Sequence, residues 1–245
     1  MKNKILKIFL LILTNILILL VIFLLLWHNN IFVLKAVRIY NNQLVTKNEI
    51  LRRTMFDFSA DIFNININKI EKDLLKLPMI EDVRISRFYP SILKIQVKEH
   101  DLIAGISGSE VAVVTEKGNL IFNYNPEVLY DLPIITGIHF KTDTLENRKP
   151  QNPELMKKCV KILKAIKKND PLLFHEISEL NFSQNKGMMF FLRKNNIPVI
   201  FGENNLIRKL NYFSTIFNEL FEKKSLNSVL ALDIRYEGQV VVKQK

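Results

Sequence analysis

Side chains able to bind a metal, move a proton or attack a bond are present in this sequence, but their spacing builds no familiar catalytic pattern. His28, His100, His139 and His175 lie far apart, without the close pairing of a zinc-binding H-E-x-x-H helix. There is no G-x-S-x-G elbow, no P-loop and no dinucleotide fingerprint. Seven glycines in 245 residues leave little for a loop that cradles phosphate. Cys159 is the single cysteine, so no intrachain disulfide forms, even where the chain faces an oxidising compartment. Inside an expected helix it reads as a small buried apolar residue rather than a nucleophile. Glu99 reads as a surface or turn carboxylate rather than a catalytic acid. The expectation is a chain that is not an enzyme, with no cofactor, no metal and no small-molecule substrate.

Charge points no more sharply. The net charge is +11, but it is spread. Residues 1–28 carry +3, residues 29–100 set 12 basic against 8 acidic groups, and residues 101–245 set 20 against 16. No concentrated basic arm exists, so no nucleic-acid partner is expected.

The element that must position everything else is the stretch Ile8 to Trp27. It has no charged residue, and Thr14 and Asn15 are its only polar members. Twenty helical residues rise about 30 Å, the thickness of the hydrocarbon layer of a bilayer. A core helix of a soluble protein would keep a polar face. Lys2, Lys4 and Lys7 precede the stretch, and short basic flanks stay cytoplasmic. The expectation is a cytoplasmic tail over 1–7, a transmembrane helix over 8–27, with Trp27 at the interface, and the remaining chain outside. A cleaved signal peptide is the competing reading, but its apolar region is shorter and ends in small residues, which WHNNIF lacks.

Residues 32–100 follow a β-α-α-β-β order. Phe32 to Ile39 reads as a strand, broken at Asn41-Asn42. Thr46 and Glu49 have capping-box spacing and open a helix to about Phe56. A second helix opens at Asn66 or Asn68, places Ile67, Ile70, Leu74 and Leu77 on one side, and stops at Pro78. Val83 and Ile85, then Leu93, Ile95 and Val97 after Tyr89-Pro90, alternate with polar residues as a hairpin with one buried face.

The stretch LPMIEDVRISRFYPSILKIQVKEHDLIA, Leu77 to Ala104, resembles the POTRA signature of the bacterial cell-division family FtsQ, also called DivIB. Leu77-Pro78, Arg87, Tyr89-Pro90, Val97, Glu99 and Ala104 fall in register. Met79 stands where the family often has Trp, and Asn41-Asn42 where it often has Gly-Asn.

The resemblance continues through residues 101–245. VAVVTEKGNLIF, Val111 to Phe122, reads as two strands about Lys117-Gly118, and LPIITG follows at Leu132 to Gly137. Pro153 to Lys168 reads as a helix with Met156, Cys159, Val160, Leu163 and Ile166 inward. Lys157, Lys161, Lys164 and Lys168 form a basic stripe, read as a solvated face. Three strands are expected at Ile177 to Phe182, Met188 to Leu192 and Ile197 to Phe201, with turns at Gln184 to Gly187 and Asn195-Asn196. A helix from about Asn205 to Lys223 carries Leu206, Leu210, Phe213, Phe217 and Leu220 on one face. Val229 to Tyr236 and Gln239 to Lys243 read as a final hairpin about Glu237-Gly238.

The fold class expected is α+β: one transmembrane helix, a POTRA domain over 32–100, and a mixed-sheet β domain with two helices over 101–245. The run LALDIRYEGQVVVK, Leu230 to Lys243, is similar to the terminal hairpin of FtsQ proteins, in which Asp-x-Arg-Tyr recurs. The resemblance implies that Arg235, Tyr236 and Gly238 contact the partner FtsB, with FtsL as third member, among other divisome components. It implies a non-enzymatic scaffold at the septum of the plasma (inner) membrane that helps regulate septal peptidoglycan synthesis. A POTRA-type assembly or transport factor for envelope proteins is the alternative, and an anchored enzyme acting on cell wall is a third reading.

Overall fold

The computed structural model describes residues 2–28, 30–107, 111–122, 124–129, 131–141, 149–183, 186–223 and 225–244. The chain divides into two compact units, Met1–Glu99 and His100–Lys245.

The first unit begins with helix α1, Lys2–His28. Its segment Leu6–Leu25 is long and apolar enough to cross a membrane, and none of it is buried. Thr14 Oγ1 donates to Leu11 O at 2.9 Å and Asn15 Nδ2 to the same oxygen at 2.8 Å. The two polar side chains thus spend their donors on the helix's own backbone, as a lipid environment demands. The side chain of Trp27 lies outside the described residues, as does Met1 of the tail.

Strand β1, Ala36–Tyr40, starts four residues later than the expected Phe32. The earlier backbone is bonded elsewhere: Leu34 N–H donates to Ala60 O and Ile62 N–H to Phe32 O. Helix α2, Lys47–Thr54, is capped by Thr46, whose hydroxyl accepts from Glu49 N–H. Helix α3, Ile67–Leu74, is capped by Asn66. It ends four residues short of Pro78, and Leu77 is buried just beyond it. Strands β2, Ile80–Phe88, and β3, Ile92–Glu99, pair antiparallel. In sheet order β1-β3-β2, β1 runs parallel to β3. Leu93, Ile95 and Val97 face Ile50, Ile70 and Leu74 across a closed core, all under a tenth exposed. Tyr89-Pro90 occupies the β2–β3 turn with a cis peptide bond.

The second unit is built on a mixed sheet, ordered β14-β13-β12-β11-β10-β7-β4-β5-β6. Strand β4, Leu102–Ser107, was not legible as a strand; its LIAGI run is buried throughout and so shows no alternation. Next come β5, Val111–Thr115, and β6, Leu120–Ile121, joined at Gly118, whose φ is 85°. Then follow β7, Ile134–Thr136, and a separate small pair, β8 Phe140–Lys141 with β9 Lys149–Pro150.

Helix α4, Pro153–Asn169, carries the expected apolar side and adds Ile162 to it. Lys157, Lys161, Lys164 and Lys168 are all exposed. Beyond the two long helices expected, a short third one appears, α5, Pro171–Glu176. Strands β10, Ile177–Ser183, β11, Gly187–Leu192, and β12, Ile197–Gly202, form an antiparallel meander. The Gln184–Gly187 turn falls partly outside the described residues. Helix α6, Leu206–Glu222, packs its aromatic face on the sheet: Phe190, Phe201 and Phe213 meet edge to face at 4.8 and 5.4 Å. Strands β13, Val229–Asp233, and β14, Val241–Gln244, close the sheet. Both are shorter at the turn than expected, because the chain leaves the ladder after Asp233.

Candidate partner-binding site

Among the described residues, strand β14 is the last in its sheet and pairs with β13 alone, in the register Leu232↔Val242 and Asp233↔Val241. In an antiparallel pair, alternate residues direct N–H and C=O groups away from the neighbour, so such an edge can accept one more strand. The opposite edge, β6, has two residues and offers almost no template. Leu230 sits at a register shift in β13; it is 43% exposed, and Val241 is 49% exposed.

The loop between these strands holds the three residues singled out from the sequence, and the fold brings them together. Arg235 is fixed by its own neighbour. Its Nε donates to Asp233 Oδ1 at 3.0 Å and its Nη2 to Oδ2 at 2.6 Å. Its backbone N–H also donates to Oδ1. This arrangement holds the Asp233 carboxyl below its ordinary range, chiefly through the hydrogen bond from Arg235, and raises the guanidinium in turn. Its Nε and Nη2 are thus both committed to one carboxylate, which sets the orientation of the guanidinium. Ile234 is buried and donates to Ile200 O at 2.8 Å, anchoring the loop's root. Tyr236 is 56% exposed. Gly238 takes φ 72° with open space around it, a backbone conformation that glycine enters without steric cost.

Three supports were not legible in the sequence. Gly202, at φ 76°, leaves room for the aliphatic stem of Arg235: a Cβ there would stand 3.3 Å from Arg235 Cγ. Lys209 is buried, donates to Phe201 O at 2.9 Å and adds positive charge near Asp233. Arg208 of α6 pairs with Glu237 at 2.6 Å and donates to the Tyr212 hydroxyl at 3.0 Å. Apart from the i,i+4 contact of Arg208 with Tyr212 within α6, these supports reach the loop from positions distant in sequence.

The motif residues of the first unit behave differently. Arg87 Nε donates to Ile62 O, and its Nη2 to Ile65 O, both at 2.7 Å. Glu99 accepts the N–H groups of Gln43, Leu44 and Val45 at 2.8–2.9 Å. The expected turn carboxylate is therefore a loop clamp. Asn41, at φ 63°, takes the left-handed conformation that Asn tolerates better than most residues.

Among the described residues, no three His, Cys, Asp or Glu are placed to hold a metal. Burial pushes the Cys159 thiol up to about 12, which removes the thiolate needed for nucleophilic attack. A cavity of about 230 Å³ between α4, α5 and α6 reaches Asp170. That carboxylate caps α5 through Leu173 N–H and accepts from Ser214 and Asn218, so its job is to join helices.

Family profiles agree with this architecture. One described as "POTRA domain, FtsQ-type" matches residues 32–100, and one described as "FtsQ/DivIB, C-terminal related" matches residues 103–243. A cell division protein FtsQ of Geobacter sp. (strain M21) is 23% identical over 86% of this chain and 76% of its own length. One from Geotalea daltonii is 21% identical over 87% and 76%. A cell division protein DivIB of Macrococcus caseolyticus is 22% identical over 79% of this chain and 60% of its own length. The second profile alone spans more than half of the sequence, and the chain belongs to the FtsQ/DivIB family of cell division proteins.

Proposed function

We propose that this protein is a non-enzymatic divisome scaffold. It is anchored by α1 as a single-pass protein of the plasma (inner) membrane, with its N-terminus cytoplasmic and residues 32–245 outside, at the division septum. Its second unit docks an FtsB-type partner, with an FtsL-type protein as third member, and so helps regulate septal peptidoglycan synthesis. The observation that carries the reading is the terminal hairpin: a free strand edge beside an oriented Arg235 and an exposed Tyr236.

The physics suits docking. An added strand gains main-chain hydrogen bonds along β14, while side chains supply selectivity. Arg and Tyr are favoured anchors because each offers large contact area together with hydrogen bonds. Holding Arg235 against Asp233 before binding lowers the entropy cost of ordering it in the complex. The guanidinium is still partly exposed beside that carboxylate, which suits an acidic or carbonyl acceptor on the partner.

Co-purification from membranes tests the proposal. The full chain is expected to bring down FtsB and FtsL, and a chain ending at Val240, which loses only β14, is expected to bring down neither. Retention of both by the shortened chain contradicts edge docking. The rival reading, an envelope assembly or transport factor, would use the nine-residue edge β2. That edge carries Glu81, Asp82 and Arg84, charges of the kind that discourage strand addition. A uniform envelope distribution in place of a midcell ring would favour it.

A further inference from the structure

The first unit carries a ladder of aromatic rings that starts inside the apolar span. Phe23 belongs to the Leu6–Leu25 segment of α1, and its ring lies 6.2 Å from that of Phe32. Phe32 lies 5.4 Å from Phe63, and Phe63 stacks on Tyr89 at 5.2 Å. Three successive contacts thus join the membrane helix to the tip of the β2–β3 hairpin. At that tip the rings are partly exposed: Phe63 by 44%, Tyr89 by 54% and Phe88 by 61%. Lys35 is exposed, and its backbone N–H donates to Ser91 O beside the tip.

The tether between helix and unit is short. Helix α1 ends at His28, and the chain is already bonded into the unit at Phe32, whose carbonyl accepts from Ile62 N–H. Four residue steps reach at most about 14 Å, which keeps the start of the folded unit close to a headgroup layer roughly 5–8 Å thick on each side of the bilayer. Aromatic rings held at that depth are stabilised by the interface, where an apolar body meets wet polar groups. A nearby lysine adds attraction to anionic headgroups.

We propose that the Phe63–Phe88–Tyr89 tip of the first unit rests in the interfacial layer of the bilayer, with lipid headgroups and upper acyl carbons as its ligand. Seating the tip fixes the unit's orientation on the membrane, beyond what a simple tether gives. The inference rests on α1 spanning the bilayer, and flotation of the chain with vesicles reports that separately.

The test uses the purified full chain in phosphatidylcholine–phosphatidylglycerol vesicles, with Trp27→Phe removing the single native tryptophan. Phe88→Trp and Tyr89→Trp each place a reporter at an exposed site. The expected result is blue-shifted emission that loses most of its intensity to lipids brominated near the headgroup and little to aqueous iodide. Flotation together with iodide quenching equal to that of free tryptophan amide overturns the inference while leaving the anchor intact. So does shielding that arises only after a second protein is added.

Discussion

The two units use their signature residues in opposite directions. In the first, Arg87 and Glu99 turn toward backbone and clamp two loops, at residues 62–65 and 43–45. In the second, Arg235 and Tyr236 stand in an exposed loop, with Arg235 hydrogen-bonded to its neighbour Asp233. Both sets include an arginine next to a strand end, and residue type alone does not separate them. What separates them is the supply of unpaired backbone groups nearby. Loops at 43–45 and 62–65 lack ladder partners and would be left with unmet donors and acceptors, so they recruit a charged side chain. The root of the terminal loop is already satisfied through Ile234, whose N–H donates to Ile200 O, so its backbone makes no such demand on Arg235 and Tyr236.

That contrast can be broken at its strongest point first. Glu99→Ala removes three charge-assisted hydrogen bonds and is expected to cost about 3 kcal/mol of the first unit's stability, read by chemical denaturation, with no direct effect on partner affinity. Tyr236→Ala is expected to do the reverse. It should weaken FtsB binding by about 2 kcal/mol, more than tenfold, while stability moves by less than about 0.5 kcal/mol. Gly202→Ala sharpens the comparison, because it forces a side chain into a left-handed position and against the Arg235 stem. A loss of about 1 kcal/mol in stability, with weaker binding, is expected from denaturation and titration together.

The smallest effect is that of acid. The Asp233 carboxyl titrates below its ordinary range in the folded chain, so folding favours its ionised form. Its contribution is complete above the unfolded value near 3.8 and disappears as pH falls through the lower folded one. Backbone NMR shifts of residues 233–236 are expected to move in that acid window, before the core signals change.

Much of this fold was legible because its elements carry clean local signals. The Thr46 cap, the alternation at Leu93, Ile95 and Val97, the meander at β10–β12 and the aromatic face of α6 all follow from spacing within one element. Strand β4 was not, since a strand buried on both faces has no period to read. Helix α5 was missed because six residues carry less than two turns of pattern. At the site, Arg235, Tyr236 and Gly238 could be named from the resemblance. Their supports could not: Gly202, Lys209 and Arg208 lie 26 or more positions away in sequence, and only folding places them together. Glu99 reads in the sequence as no more than a surface or turn carboxylate, because its three backbone partners, at positions 43–45, leave no trace in the local sequence.

Isothermal titration of an FtsB outer segment into the intact chain and into the Arg235→Ala/Tyr236→Ala double variant, with thermal unfolding of both proteins recorded alongside, tests the central claim most directly. The account predicts an unchanged unfolding midpoint and an affinity reduced by more than about tenfold. A folded double variant that binds as tightly as the parent would contradict it.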